Sequence, residues 1–155
     1  MSIFNYFENK NVSYVKAIAH AKECAIEAGW KIKTEKEDHL VLGFKDELGL
    51  EHVFIRPCGS NRDDKVILEF SSEGIPLPDD VALASLFGLT LLERNGEMLM
   101  GHWGIETSGS KKYFTVMHSM VAEGMDVNEF KAAVRACIDE KKRLLLDMVQ
   151  KGLKP

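Results

Sequence analysis

The sequence predicts an α+β fold: an antiparallel sheet alternating with helices in the order α-βββ-α-βββ-α. Three observations carry that prediction. A small-residue helical repeat stands near the N-terminus, short Val/Ile/Leu/Phe-rich runs follow at close spacing, and an amphipathic segment with a marked entrance closes the chain. The 155 residues suit one domain, 1–155, because a single core commonly organises ~100–200 residues.

The first helix is predicted over Ser13 to Gly29, where Tyr14, Ile18, Ala21, Ala25 and Ala28 recur at spacings of three and four and Gly29 supplies a stop. Asn11 or Ser13 reads as its N-cap, in preference to the glycosylation sequon that Asn11-Val12-Ser13 also spells. Its alanines allow close approach to a sheet. Three strands follow, Leu40 to Lys45, His52 to Pro57 and Lys65 to Ser71, joined by Asp46-Glu47-Leu48-Gly49 and by the polar run 59–64. Connections this short join antiparallel neighbours. Leu40, Leu42 and Phe44 share one face, as do Val66, Leu68 and Phe70, so one side of the sheet needs a cover that the first helix can supply.

Pro76 and Pro78 mark a loop, and Asp79-Asp80 caps a short helix that Phe87-Gly88 ends. A hairpin is predicted next: Leu89 to Glu93 and Glu97 to Ile105 flank Arg94-Asn95-Gly96, and Asn-Gly accommodates the positive φ angles of a tight turn. After the turn Ser108-Gly109-Ser110, Lys112 to Ala122 is a further strand. Asp126 with Glu129 forms a capping box, Met125 and Phe130 a hydrophobic staple, and the stripe Phe130, Val134, Cys137, Lys141, Leu144, Met148 defines the last helix.

SLFGLTLLERNGEMLMGHWGI (Ser85 to Ile105) and YFTVMHSMVAEGMDVNEFKAAV (Tyr113 to Val134) resemble the YbjN-type domain, a family similar in fold to the type III secretion chaperones. The resemblance implies a small, acidic, cytoplasmic, dimer-forming protein that binds a protein partner. It brings no catalytic motif to carry over.

Composition narrows the function classes. Net charge is −4, so the broad basic field that drives nucleic-acid binding is missing, and nucleic acid is not expected as a partner. No run approaches the ~20 apolar residues of a membrane span. The N-terminal MSIFNYFENKN has neither a basic nor an apolar segment of a secretory signal, and Cys24, Cys58 and Cys137 are odd in number and far apart. A reducing, cytoplasmic setting is expected.

Chemistry-bearing residues are sparse. His20 and Cys24 alone have helical ligand spacing, too few for a metal site, and neither metal nor cofactor is expected. Ser108-Gly109-Ser110-Lys111-Lys112 lacks the frame of a phosphate loop and reads as a turn. Cys58, at a strand end beside Arg56, and His102 or His118 would serve an alternative reading as a small enzyme or ligand-binding protein. The main expectation is non-enzymatic: a homodimeric, chaperone-like protein that binds a client or itself through an apolar sheet surface. Met98 and Met100 on one face of the predicted Glu97 to Ile105 strand, Trp103 on the other, and Met117 nearby mark that surface, since flexible thioethers suit adaptable contacts. The sequence names no client.

Overall fold

The computed structural model describes residues 3–47 and 49–150. Met1, Ser2 and Leu48, which enter the readings of the N-terminal stretch and of the first inter-strand connection, lie outside them.

Helix α1 (Ile3–Glu27) starts earlier than its apolar repeat. It passes through Asn11 and Ser13, which correct from N-caps to interior positions. Its end follows the sequence: Gly29 takes φ 71°, its amide donates to the Ile26 carbonyl at 3.0 Å, and the Trp30 amide donates to that of Ala25 at 3.0 Å. These paired bonds satisfy the last helical carbonyls, and glycine tolerates the left-handed residue that makes them. Trp30 then packs on Phe44 and Phe130, with ring centroids 5.3 and 5.8 Å away.

Five strands follow: β1 (Ile32–Glu35), β2 (Leu40–Asp46), β3 (Gly49–Ser60), β4 (Val66–Ser72) and the two-residue β5 (Ile75–Pro76). After α2 (Val81–Asn95) come β6 (His102–Ser108), β7 (Lys111–Val121) and α3 (Val127–Gln150). All pairings are antiparallel. The long β7 takes β4 and β5 along one edge and β6 along the other, as Ser71↔Met117, Ile75↔Phe114 and His102↔Met117 show.

Directly paired residues share a face, so the ladder assigns the two sides of the sheet. One side carries Leu40, Leu42, Val53, Ile55, Leu68 and Phe70, all fully buried. Ala17, Ala21 and Ala25 of α1 and Phe130, Ala133, Val134 and Cys137 of α3 close over them in one core. A second core on the same side joins Leu91 of α2, Trp103 of β6, Phe114 and Val116 of β7, and Leu144 of α3. The entrance of α3 is the expected capping box: the Glu129 amide donates to Asp126 Oδ1 at 2.8 Å and the Asp126 amide to Glu129 Oε2 at 3.0 Å.

The α+β class and the alternation of helices with antiparallel strand groups stand, but the middle of the chain differs from its reading. Gly88 does not stop a helix. α2 runs on to Asn95, so Leu89–Glu93 is helical and Asn95-Gly96 is the end of that helix, not a hairpin turn. The strand expected from Glu97 starts only at His102, leaving Met98, Leu99 and Met100 in a connecting loop. The strand groups therefore count five and two instead of three and three. Asp80 accepts from the Leu83 amide at 2.8 Å and starts α2, and the leucines that follow are good helix formers, which one interior glycine does not outweigh. The tight hairpin is β6–β7, turning at Gly109-Ser110 between the paired Ser108 and Lys111.

Candidate functional site

Helix α2 is apolar around most of its circumference, yet among its residues only Leu91 is buried. Leu86, Leu89 and Leu92 are 64%, 60% and 64% exposed, Val81 and Leu83 are exposed with them, and Leu99 in the following loop is 100% exposed. From Val81 through Leu92 there is no charged residue. A surface helix normally turns a charged face to water, and this one turns an apolar face instead, which makes it the candidate interaction surface.

The C-terminal end of α2 is pinned by a polar cluster. Arg94 Nε donates to Glu140 Oε1 at 2.7 Å and Arg94 Nη1 to Asp147 Oδ2 at 2.6 Å. Glu140, only 7% exposed, also accepts from the Trp103 indole at 2.9 Å and pairs with Arg143 at 2.8 Å. Burial pulls the Arg94 guanidinium down, and its bonds to Glu140 and Asp147 more than offset this, leaving it above its ordinary value. Asn95 clamps the start of β6: its Nδ2 donates to the Trp103 carbonyl at 3.1 Å, and the Trp103 amide donates to its Oδ1 at 2.6 Å. The clamp satisfies edge-strand groups at Trp103 that no neighbouring strand pairs.

The four residues expected to mark an interaction surface do not share one. Trp103 is buried in the second core, Met98 packs against that core from the loop, and Met100 is 40% exposed in the same loop. Met117 is half-buried on the opposite side of the sheet, opposite His102 and Ser71. The two-sided apolar strand that motivated them is not there, because Met98 and Met100 precede β6. The exposed apolar surface lies on α2 instead, and its signal was the uncharged, leucine-rich run Val81 to Leu92.

Cys58 is exposed at a β-bulge in β3, between Pro57↔Leu68 and Gly59↔Ile67, with its Sγ 3.6 Å from the Ile67 carbonyl oxygen. Partial burial and the Glu69 carboxylate push its thiol up, against the direction that activates a nucleophile. His118, opposite Phe70, is pushed down by burial and by His102. His20 Nε2 lies 2.7 Å from the Met125 carbonyl oxygen. Among the described residues no three His, Cys, Asp or Glu side chains converge as a metal site would need, and no helix is long and apolar enough to cross a membrane.

The side of the sheet away from the helices is polar. Arg56 of β3 donates to Glu69 Oε1 of β4 from Nε at 3.0 Å and from Nη2 at 2.8 Å, and also meets Glu106 Oε1 of β6 at 2.7 Å. Arg56 stands level with Glu69 and Ser119, whereas Glu106 stands opposite Tyr113, six positions along β7 or about 20 Å in a flat sheet, so the Arg56–Glu106 contact requires the sheet to curl into a concave surface. A solvent-open hollow of about 540 Å³ lies there, lined by Phe54, Arg56, Glu73, Glu106, Tyr113 and Thr115 among others.

The sequence matches no protein-family model and no curated protein. Among solved structures the fold is similar to that of YbjN, a candidate transcription regulator from E. coli, with a TM-score of 0.53 and 14% identity over 85% of this chain and 90% of that one. At that identity the likeness establishes a shared architecture: three helices on an antiparallel sheet.

Proposed function

We propose that this chain is a non-enzymatic, cytoplasmic protein-binding module that works as a homodimer, with α2 as the seam between two copies. The exposed, uncharged leucine face of α2 carries this reading. A two-fold interface sets each patch against its own image, so like charges would meet like charges, and a surface without charge from Val81 to Leu92 meets itself without that cost. A helix of 15 residues offers a strip about 22 Å long. The polar open face of the sheet does not favour an apolar sheet as the binding surface, which moves the proposed contact to the helix.

A chaperone-like role toward a client is the finer form of this reading, supported by the residue resemblance and by the paucity of catalytic constellations among the described residues. A regulatory role of the kind ascribed to YbjN would here run through protein contacts, since net charge −4 does not favour direct contact with nucleic acid. Association of folded chains links stability to concentration. The urea midpoint of the wild type should rise with protein concentration, and that of Leu89→Glu should not; a concentration-independent wild-type midpoint counts against the dimer.

A further inference from the structure

The hollow on the concave face lies across the sheet from α2 and is independent of the proposed seam. Its charge is mostly negative: among the described residues that line it, Asp38, Glu73 and Glu106 stand with His39 and with one guanidinium, that of Arg56. That guanidinium is already held by Glu69 and Glu106, while Glu73 Oε2 lies 3.1 Å from His52 Nδ1 and Asp38 Oδ1 2.8 Å from His39 Nδ1. An anion entering here would face carboxylates. A cation would be drawn in, and the rings of Phe54 and Tyr113 add apolar and π surface to the same wall.

Two features of the floor point to an occupant. Thr115 lines the hollow at 0% exposure, and its Oγ1 has no hydrogen-bond partner among the described residues. A buried hydroxyl without a partner is unfavourable, so a site that leaves one open gains when something bonds to it. Above it sits Gly74, where a Cβ would stand 3.0 Å from Thr115 Oγ1 and 2.5 Å from Tyr113 Cβ. Glycine lets the backbone pass this close over Tyr113 and the unpaired oxygen, where any side chain would press on both. A volume of about 540 Å³ is within the ~300–1,000 Å³ range of small-molecule sites.

We propose that this hollow binds an organic cation: an ammonium or guanidinium group on a short apolar stem, held by Glu106 and Glu73, laid against Tyr113, and hydrogen-bonded to Thr115 directly or through one water. The same chemistry is offered by a free diamine and by a lysine side chain of a protein. Isotope-labelled protein titrated with 1,4-diaminobutane and, separately, with Nα-acetyl-lysine amide distinguishes the two, with 1-butanol and butyrate as neutral and anionic controls. The expected result is saturable shifts at Gly74, Tyr113 and Thr115 with at least one amine and with neither control; the tighter amine identifies the source. Thr115→Val and Glu106→Gln should each weaken that amine roughly tenfold, as loss of a hydrogen bond to a charged group does. Tyr113→Leu, with the same expectation, replaces either variant that does not fold. No saturable shift with either amine, equal binding of butyrate, or a folded variant that binds as the wild type does overturns the proposal.

Discussion

Glu140 is where three elements meet: Arg94 of α2, Trp103 of β6 and Arg143 of α3 all bond to its carboxylate. Removing it leaves a partly buried guanidinium and a buried indole N–H without their shared acceptor. Glu140→Ala should therefore cost about 3–5 kcal/mol in urea unfolding, and Glu140→Gln, which keeps an acceptor oxygen, clearly less. Cys137 gives a second residue-scale prediction. Burial, with the Glu69 charge adding, pushes its thiol up to about 12 from an ordinary value of 9.0. Between those values the unfolded chain releases the proton while the folded chain keeps it. The stabilisation is whole below pH 9.0 and declines as pH rises toward 12, by roughly 1.4 kcal/mol for each pH unit. Unfolding at pH 8 and pH 10.5 should show the wild type losing about 2 kcal/mol more than Cys137→Ala. Cys137 was legible in the sequence because it falls on the stripe of the last helix. Glu140 and Arg94 were not: charged side chains normally indicate solvent, and this pair is separated by 46 residues, a contact that no local pattern encodes.

The elements whose ends are set by local chemistry were the ones read correctly. Gly29 and the Asp126–Glu129 box fix helix ends through bonds within a few residues, and the Ser108–Lys111 turn closes a hairpin in the same way. Helix α2 was misread because Leu-Thr-Leu-Leu suits a strand or a helix, and Phe87-Gly88 and Asn95-Gly96 both look like punctuation. The structure decides for helix: Leu91 reaches the second core, and Asn95 spends its side chain on the Trp103 backbone. Gly88 then sits mid-helix with the Phe114 ring 3.8 Å from the position of an added Cβ, an ordinary contact distance. Gly88→Ala should raise stability by about 0.5–1 kcal/mol, seen as a higher melting temperature. A glycine that ended the helix would give the opposite sign. The short β1 and β5 escaped notice because four and two residues hold too little pattern to register; β5 exists through its pairing with Tyr113 and Phe114.

At the scale of the whole molecule, one sheet separates two different surfaces. The helix side holds both cores and ends in the bare leucines of α2; the other side is concave, acidic and built around Arg56. The sequence suggested that apolar surface was in excess, but its helix-versus-strand ambiguity put that excess on the methionines of a strand. Neither the Arg56–Glu106 contact nor the Thr115 floor was legible, since both depend on curvature and on strands brought together by long-range pairing. The proposed function stands or falls with α2 joining two copies of the chain. Sedimentation equilibrium of the wild type beside Leu86→Glu tests it most directly, because Leu86 is 64% exposed and its replacement leaves both cores intact. The wild type should sediment with the mass of two chains, and a Leu86→Glu variant with unchanged circular dichroism with the mass of one. A wild type that sediments as a single chain across the concentration range, or a Leu86→Glu variant that still sediments as two, contradicts it.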